Sequence, residues 1–423
     1  MSEKLIRDPV HDCIAFRMER ETDALLFRLL NAVELQRLRR IRQLGLASLA
    51  YPGADHSRYS HSLGVMETAR KIISQLGQSY YISEEDRIVC YCAALLHDLG
   101  HGPFSHVFER VSGVHHERIT HALILDPHCE VHQILRDHAT DLPERIVALL
   151  DGRDPPTFLS DVLSSQLDSD RLDYLLRDNL MTGSQYGGYD LRWLIHALTV
   201  DERTRRLVIT WKGVSAVEAY LQSRSHMYRN VYFHKVVRSA EGMVKLALQR
   251  ARRMAVQGRL SWPPAEHPVT KGLLGRTLSA EEFNDLDDVA MLHCFKSWAG
   301  GDDATLAGLC HGLLFRQVFK TIDLTHVPGA EQIAQRVREE IQSAGGLPEY
   351  QMFFDEPSDL PYEIGDSSRE ILVRDPDGRL TELSKRSPMP AAMNQQVRFR
   401  RIHVAEQWKD LAKRVVVEVG ESV

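Results

Sequence analysis

Cysteine is scarce in this sequence, and its spacing excludes the common cysteine-based sites. The 423 residues include six cysteines, at positions 13, 90, 92, 129, 294 and 310, and no two of them form a CxxC pair. A four-cysteine zinc site needs such closely spaced pairs, so we expect none. Unpaired cysteines favour a reducing compartment, and we therefore expect a cytoplasmic protein.

Long apolar runs and an excess of positive charge are also absent. No apolar stretch approaches the roughly 20 residues that a membrane span requires, and the charged residues 1–9 lack the apolar core of a signal peptide. We expect neither a membrane span nor a signal peptide. The formal charge of -6 argues against a surface that coats nucleic acid, although basic clusters can still hold phosphates.

Helical periodicity dominates the first 250 residues. Apolar residues recur at steps of three and four, which predicts amphipathic helices. The predicted helices cover about residues 25–44, 60–75, 86–97, 117–125, 132–138, 143–150, 158–177 and 215–251. The arginines between positions 37 and 42 fit a solvated helix face. A change of pattern over residues 198–211 predicts a small β-hairpin.

The composition changes beyond residue 326. Two short apolar segments flank DPDGR at residues 375–379, which is typical of a hairpin, and residues 397–404 are a further predicted strand. Residues 384–395 are predicted to form a flexible loop. We therefore predict a mainly α fold, with a helical core over residues 1–325 that holds its site within about residues 45–240, and a small C-terminal α+β lobe over residues 326–423.

Two histidines and two aspartates have the chemistry of a divalent metal site. His97 and Asp98 stand where the apolar run of residues 90–96 ends at a glycine-rich turn. With His61 and Asp170 they offer imidazole and carboxylate ligands, a mixture that suits zinc, iron, manganese or nickel. Because the four residues come from remote stretches of chain, a bundle of helices must bring them together. A single such residue is more often a cap or a packed side chain, so the prediction depends on the joint pattern.

Three strings of this sequence resemble a known family. They are HSRYSHSLGV at residues 56–65, LHDLGHGPFSH at residues 96–106 and DSDRLDY at residues 168–174. Shorter strings agree at residues 36–39, 43–45 and 232–235. The chain thereby resembles the HD-domain phosphohydrolases, and within them the deoxynucleoside triphosphate triphosphohydrolases, over about residues 4–250. The resemblance implies an HD-domain helical bundle.

The resemblance also implies a role for each site residue. The metal ligands would be His61, His97, Asp98 and Asp170. The catalytic group would be Arg58, His101 and His106, which face the phosphates, and His116, a proton donor, with Glu117 as its orienting carboxylate. A carboxylate beside a histidine favours the protonated ring, which suits proton donation to a leaving oxygen.

A further set of residues would bind the substrate. These are Gln43, Leu44, Arg58, Arg171, Tyr174, Asp178, Arg224, Tyr232 and Lys235. By the resemblance, Tyr174 packs against the deoxyribose and discriminates against a 2′-hydroxyl. Arg171 stands where lysine is common in the family, which preserves the positive charge but changes how oxygens are held.

Some members of the family assemble as tetramers around activator nucleotides. The residues that resemble this arrangement are Lys4, Asp8, Asn31, Gln36 and Arg39. Asn31 departs from the pattern, because the activated relatives have a carboxylate there that accepts hydrogen bonds from guanine, whereas an amide both donates and accepts. This departure argues against activation by guanine nucleotides. A homo-oligomer, either a dimer or a tetramer, is implied.

The implied activity is metal-dependent hydrolysis of deoxynucleoside triphosphates to a deoxynucleoside and inorganic triphosphate, with Mg²⁺ accompanying the nucleotide. Two alternatives stay open. An HD-type phosphodiesterase or nuclease would use the same ligands on nucleic acid or a cyclic nucleotide; the acidic net charge disfavours long nucleic acid, while the arginines of residues 37–42 and 398–401 favour it. A non-catalytic nucleotide sensor is the second alternative, and the complete ligand set argues against it.

Overall fold

Helices form most of this chain. The computed structural model describes residues 3–152, 158–365 and 370–420. The helices are α1 Glu21–Asn31, α2 Val33–Arg37, α3 Arg58–Leu76, α4 Glu84–Leu96, α5 His106–Ser112, α6 His116–Leu125, α7 Glu130–His138, α8 Leu142–Leu150, α9 Phe158–Leu163, α10 Ser169–Thr182, α11 Leu191–Ala197, α12 Val214–Met227, α13 Lys235–Val256, α14 Pro268–Leu273, α15 Ala280–Asn284, α16 Asp288–Ala299, α17 Ala304–Leu314, α18 Ala330–Ser343, α19 Pro348–Gln351, α20 Pro388–Met393 and α21 Lys409–Gly420. The predicted mainly α fold is confirmed.

The strands are short and form small sheets. They are β1 Glu3–Asp8, β2 Asp12–Arg17, β3 Leu198–Val200, β4 Leu207–Thr210, β5 Lys320–Asp323, β6 Met352–Asp355, β7 Ser358–Asp359, β8 Leu372–Arg374, β9 Leu380–Glu382, β10 Val397–Arg398 and β11 Arg401–Val404. Their orders are β1-β2, β3-β4-β8-β9, β5-β11-β6 and β10-β7. All neighbouring strands are antiparallel except β4 and β8, which are parallel.

Helix α4 lies inside the helical part because its second half is apolar on every side. Every residue from Ile88 to Leu96 is buried. The helix begins after Ser83, whose hydroxyl accepts a hydrogen bond from the backbone N–H of Asp86 at 3.1 Å. Helices α3 and α8 pack on α4, and α10 packs on α3. A fully buried helix of this kind fixes the position of whatever follows its C-terminus.

Three of the predicted helices are broken. The helix predicted over residues 25–44 ends at Ala32, where the backbone is extended, and α2 follows. Arg37 does not lie on a solvated face: it is buried, and Nη2 of its guanidinium donates to the carbonyl oxygens of His101 and Leu286, each at 2.7 Å. The prediction over residues 158–177 is also wrong as one helix, because Asp168 accepts from the Arg171 N–H at 2.8 Å and begins α10 anew.

The long helix predicted over residues 215–251 is interrupted as well. A π-helical turn over Tyr228–Tyr232 follows α12, and His234 then caps α13 by accepting from the Val236 N–H at 3.3 Å. A π turn is wider than an α turn, so side chains at steps of three and four no longer share one face. Tyr232 and Lys235 accordingly point to different surroundings.

The C-terminal region departs from its prediction in one segment. Residues 384–395 contain α20, which begins at Pro388 after the Ser387 cap, and do not form the predicted loop. The two predicted hairpins are present, as β3-β4 and β8-β9. Parallel pairing of β4 with β8 joins them into one sheet. A separate core packs α18 and α21 against β11 and β6.

Within residues 3–152, 158–365 and 370–420, no helix combines the length and the apolar character that a bilayer crossing requires.

Candidate active site

Side chains from three helices cluster at the end of α4. Single ligand atoms of His61, His97 and Asp170 all lie within 4.8 Å of one another. Asp170 Oδ1 is 3.0 Å from His61 Nε2 and 3.8 Å from His97 Nε2. Asp98 lies beside them, with Oδ1 3.4 Å from His97 Nε2 and Oδ2 3.8 Å from His61 Nε2. All four predicted metal ligands are therefore neighbours in space.

The elements that carry these residues explain the cluster. His61 lies in the first turns of α3, Asp170 lies in the first turn of α10, and His97 ends α4. Because α4 is buried up to residue 96, His97 and Asp98 leave the core at a fixed point. Gly100 keeps the following turn close to α6, since a Cβ there would lie 2.1 Å from the His116 carbonyl oxygen.

Hydrogen bonds orient both imidazole rings of the cluster. The Nδ1 of His97 donates to the Ala94 carbonyl at 2.9 Å, and the Nδ1 of His61 donates to Asp173 Oδ2 at 2.8 Å. Each ring therefore directs Nε2 towards the cluster, as metal-binding histidines do. The Nε2 of His97 is buried and has no hydrogen-bond partner among the described residues. Two inward imidazole nitrogens and adjacent carboxylates fit a divalent transition metal.

Asp173 is saturated with hydrogen bonds. Its Oδ1 accepts from His11 Nε2 at 2.9 Å and from Arg177 Nη2 at 2.8 Å. Its Oδ2 accepts from His61 Nδ1 and from Arg177 Nε, each at 2.8 Å. Although burial opposes a charge on this group, the Arg177 guanidinium and these hydrogen bonds hold the pKa of Asp173 well below its ordinary value. Asp173 is therefore a rigid anionic support for His61.

The same balance of burial and charge applies to the cluster. Burial works against the charge of Asp98, but Arg58 outweighs it and holds the pKa of Asp98 well below its usual range. Burial also opposes protonation of His61, but hydrogen bonds with Asp170 and Asp173 raise the pKa of His61 to about 10. Concentrated negative charge around His61 favours a cation, whether proton or metal.

A cavity of about 480 Å³ opens beside the cluster. Its wall includes the predicted site residues Gln43, Leu44, Arg58, His61, Asp98, His101, His116, Asp170, Tyr174, Asp178 and Tyr232. Arg58 is buried in this wall: its Nη1 donates to Asp98 Oδ2, and its Nη2 donates to Ser105 Oγ at 2.8 Å. The cavity therefore joins metal-type ligands with a cation.

Two stacked histidines lie on one side of the cavity. The ring centroids of His101 and His116 are 3.9 Å apart with 19° between their planes. His101 Nε2 lies 3.2 Å from Asp98 Oδ1, and burial together with the Arg58 charge holds the pKa of His101 well below its ordinary value. The carboxylate beside His116 Nδ1 is Glu109, at 3.0 Å. Glu117, the predicted orienting carboxylate, is exposed and does not line the cavity, and the carboxylate in contact with His116 is that of Glu109.

Aromatic and polar side chains line another part of the cavity wall. The Tyr232 hydroxyl donates to Asp178 Oδ2 at 2.7 Å, and His56 Nε2 lies 2.8 Å from Asp178 Oδ1. The Tyr174 ring lies between this group and the cluster, 6.3 Å from the Tyr232 ring and 6.4 Å from the His61 ring. Asp178 is therefore held in place by two partners, and Tyr174 presents a ring next to the metal-type ligands.

Three predicted substrate residues are not in the cavity wall that the structure describes. Arg171 Nε lies 3.3 Å from Asp168 Oδ2, and Arg224 Nη2 donates to Asp359 Oδ1 at 2.9 Å. Lys235 is exposed at the first position of α13. His106 begins α5, and its predicted side-chain contacts lie outside what the structure describes.

The predicted allosteric residues do not form one group here. Asp8 is buried, and Arg177 Nη1 donates to its Oδ2 at 2.8 Å, so Asp8 anchors the β1-β2 turn to α10 and is not open to a nucleotide. Lys4 and Asn31 are exposed, in β1 and at the end of α1. Gln36 Oε1 accepts from Arg39 Nε at 2.8 Å, and the remaining face of Arg39 covers the Tyr59 ring at 3.7 Å.

Several residues that support the site were not predicted from the sequence, among them Asp173, His56 and three others. Ser105 lies inside one of the family strings, so its position was available, although its bond to Arg58 was not. Glu109 lies one α-helical turn after residue 105, and only the structure brings its carboxylate to His115 and His116. His11 had no local signal, because it lies in the β1-β2 hairpin and reaches Asp173 only through the tertiary fold.

Comparison with known proteins agrees with this geometry. A family model for the HD domain matches residues 58–155, and a model for the HD associated region matches residues 189–259. The uncharacterized protein YwfO of Bacillus subtilis is 36% identical over 91% of this chain and 88% of its own length. The crystal structure of a phosphohydrolase from Bacteroides thetaiotaomicron, 30% identical, superposes with a TM-score of 0.81 over 95% of this chain and 100% of its own.

More distant relatives carry a more specific name. Deoxynucleoside triphosphate triphosphohydrolase SAMHD1 is 30% identical over 59% of this chain in both Danio rerio and Homo sapiens. The match spans 45% of the fish protein and 44% of the human protein. Less than half of either vertebrate protein therefore has a counterpart in the aligned part of this chain.

Proposed function

Because this chain belongs to the family of HD-domain phosphohydrolases, we propose that it hydrolyses deoxynucleoside triphosphates to a deoxynucleoside and inorganic triphosphate. One observation carries the proposal: a single cavity is lined by metal-type ligands, by a buried arginine and by a tyrosine ring. These three kinds of group suit a divalent cation, phosphate oxygens and a sugar respectively. The substrate class is that named for the SAMHD1 relatives.

The proposed metal ligands are His61, His97, Asp98 and Asp170, with iron, manganese, zinc or nickel in the site and Mg²⁺ accompanying the triphosphate. A bound divalent cation polarises phosphate oxygens and lowers the pKa of water. The protein's own contribution is to hold the rings of His97 and His61 with Nε2 directed inward. The Ala94 carbonyl orients His97, and Asp173 orients His61.

Arg58 is the proposed phosphate-binding cation. Its guanidinium is fixed by Asp98 and by Ser105, so it loses little freedom when an anion binds. The donor groups of a fixed arginine counter the negative charge that grows on phosphate oxygens in the transition state. His101 and His106 are likewise proposed to contact the phosphates.

His116 is the proposed proton donor to the departing 5′-oxygen. Glu109 accepts from its Nδ1, which fixes the ring and favours a proton on the other nitrogen. Stacking on His101 holds the ring plane against the cavity. The bond that breaks joins the α-phosphorus to this oxygen, and the proton makes the alcohol a stable leaving group.

Tyr174 is the proposed sugar platform. Its ring stands beside His61, and Tyr232 with Asp178 forms the adjoining polar wall. A flat ring in close contact with C2′ leaves no space for a hydroxyl, which is how the site would prefer deoxyribose. Gln43 and Leu44 complete this side. Arg171, Arg224 and Lys235 lie outside the described wall of the cavity, and the role proposed for them is that of more distant charges that attract the polyphosphate.

Product analysis tests the proposal. The full-length protein is incubated with Mn²⁺ and each of the four deoxynucleoside triphosphates, alone and in mixtures, and the products are separated by anion exchange. We expect one inorganic triphosphate for each deoxynucleoside, and no product from Asp170→Asn. Pyrophosphate or monophosphate as the released product would contradict the proposal. Cleavage of single-stranded DNA or a cyclic nucleotide, with the triphosphates left intact, would favour a phosphodiesterase, and binding without product would favour a sensor.

Assembly and location complete the proposal. We propose a homo-oligomer, a dimer or tetramer, in which Lys4, Asn31, Gln36 and Arg39 face a nucleotide at a subunit contact. Leu5, which follows Lys4, is 60% exposed, and Val33, two residues after Asn31, is 46% exposed. The six free cysteines support a cytoplasmic location. Sedimentation with and without each nucleotide measures the oligomer.

A further inference from the structure

A chain of hydrogen bonds extends from the candidate metal cluster to the far side of α3. His61 Nδ1 bonds Asp173 Oδ2 at 2.8 Å, and Asp173 Oδ1 bonds His11 Nε2 at 2.9 Å. His11 Nδ1 in turn lies 3.0 Å from Lys71 Nζ. The side chains of His11, His61 and Asp173 are at most 1% exposed. We refer to this chain of four residues as the His11 relay: Lys71, His11, Asp173 and His61.

The chemistry of the end groups fixes the direction of every bond in the His11 relay. A lysine ammonium only donates, so His11 Nδ1 must accept from Lys71. The proton of the His11 ring is then on Nε2, which donates to Asp173. The carboxylate accepts from both sides, so His61 Nδ1 carries a proton and His61 Nε2 is left to face the cluster.

His11 supplies a contact that no other described residue provides in the same place. Arg177 occupies one position on each oxygen of Asp173, and His61 takes the second position on Oδ2. The second position on Oδ1 belongs to His11, with the Thr68 hydroxyl 3.5 Å from the same ring nitrogen. Without His11, Oδ1 would lose one of its two donors, and Asp173 would be held by Arg177 and His61 alone.

Two members of the relay, His11 and Lys71, lie apart from the catalytic cavity. His11 and Lys71 lie in the wall of a second cavity of about 1440 Å³, which shares no lining residue with the catalytic cavity. His11 therefore cannot touch a nucleotide bound at the cluster, and any effect on that site must pass through Asp173.

We propose that His11 is a positioning residue of the metal centre: through Asp173 it fixes the ring and the tautomer of His61, and Lys71 imposes the tautomer of His11 that this requires. The inference rests on the metal site of the proposed function and not on its substrate. Its consequence is that the metal affinity depends on two residues that lie outside the ligand set and outside the catalytic cavity.

Binding of Co²⁺ to the full-length protein tests the inference. Calorimetry gives the dissociation constant, and the visible absorption spectrum of Co²⁺ reports the number and geometry of its ligands. For His11→Ala we expect a dissociation constant about 10- to 100-fold higher than that of the wild type and a changed spectrum. Lys71→Met should give a smaller increase. His11→Gln should recover most of the affinity, because its amide can donate to Asp173 and accept from Lys71.

Two control variants separate positioning from general stability. His132 is also buried, and its Nδ1 bonds the Ile124 carbonyl at 2.9 Å, so His132→Ala removes an equivalent side chain that has no link to the cluster. Arg192→Met removes another cation from the wall of the second cavity. Both variants should bind Co²⁺ with wild-type affinity and spectrum, and urea unfolding of His11→Ala and His132→Ala should give comparable losses.

The outcomes are distinguishable. If His11→Ala binds Co²⁺ with the affinity and spectrum of the wild type, the inference is overturned while the proposed function stands. If His132→Ala weakens Co²⁺ binding as much as His11→Ala, the effect is one of stability and the inference is again overturned. If the wild type binds no divalent transition metal, the metal site of the proposed function fails and the inference fails with it.

Discussion

Gly64 and Asp173 are in direct contact where α3 crosses α10. A Cβ atom on Gly64 would lie 2.0 Å from Asp173 Oδ1 and 2.2 Å from Arg177 Nη2. Only a glycine leaves space for this buried ion pair between the two helices. Because Asp173 also orients His61, one contact sets both the spacing of the helices and the direction of a proposed metal ligand.

Replacement of Gly64 by alanine should therefore damage both stability and metal binding. The added methyl group must displace Asp173 or Arg177, and we expect Gly64→Ala to lower the free energy of unfolding by about 2–4 kcal/mol and to weaken Co²⁺ binding. Urea unfolding and calorimetry measure the two effects. Gly308→Ala in α17 is the control, since a Cβ there meets nothing within 4 Å and should stabilise the helix by about 0.5–1 kcal/mol. Wild-type metal affinity in Gly64→Ala would contradict the prediction.

Arg58 should contribute mainly to the transition state. Arg58→Met removes the proposed phosphate cation and leaves the buried Asp98 carboxylate without its main partner, so we expect kcat/KM to fall by about 10²- to 10³-fold. Arg58→Lys keeps the charge but loses the fork that binds Ser105 and Asp98 together, and should be intermediate. Steady-state release of triphosphate is the measurement. Arg28→Met, which breaks only an exposed pair with Asp137, is the control. A change of less than about threefold in Arg58→Met would refute this role.

The two carboxylates near His116 give opposite expectations. Glu109→Gln removes the charge that contacts His116 Nδ1, and we expect kcat to fall about tenfold or more. Glu117→Gln changes an exposed side chain outside the cavity wall, and a near wild-type kcat is expected. Urea unfolding of both variants checks that the fold is retained. Equal losses of kcat in the two variants would contradict the assignment to Glu109.

His403 should make stability depend on pH. Burial lowers the pKa of His403 to about 4, whereas an unfolded histidine has a pKa near 6.5. Between these values the unfolded chain binds more protons, so the contribution of His403 to stability is present above about pH 6.5 and is lost as the pH falls towards 4. The full loss is about 3 kcal/mol at most. Urea midpoints of the wild type and His403→Gln, measured between pH 7.5 and pH 4.5, should converge at the acidic end; a constant difference would refute the prediction.

The local pattern of the sequence was sufficient for the main elements of the site. An apolar run that ends in a glycine-rich turn places His97 and Asp98 at the tip of α4, and the helical repeat around residue 61 places His61 on α3. Both hairpins follow from turn residues between short apolar segments. These predictions depend on neighbours within one element, and the physical preferences of such neighbours are visible in the sequence.

The breaks in the helices were not visible in the same way. An apolar repeat continues through Ala32 and through residues 228–234, yet both places depart from the α-helix. Arg37 illustrates the reason. Its sequence position suits a solvated face, but the carbonyls that it satisfies belong to residues 99, 101 and 286, and only the packing of remote segments brings these carbonyls to it.

The sequence by itself supplied the candidate side chains, because imidazoles, carboxylates and guanidinium groups are recognised by residue type and the strings that contain them resemble a known family. The tertiary structure alone decided how those side chains are oriented. Asp173, together with His11, orients the His61 ring. Glu109, and not the exposed Glu117, contacts the His116 ring. Orientation depends on hydrogen bonds of about 3 Å between separate elements, and such distances are set by how the helices cross and not by the order of residues along the chain.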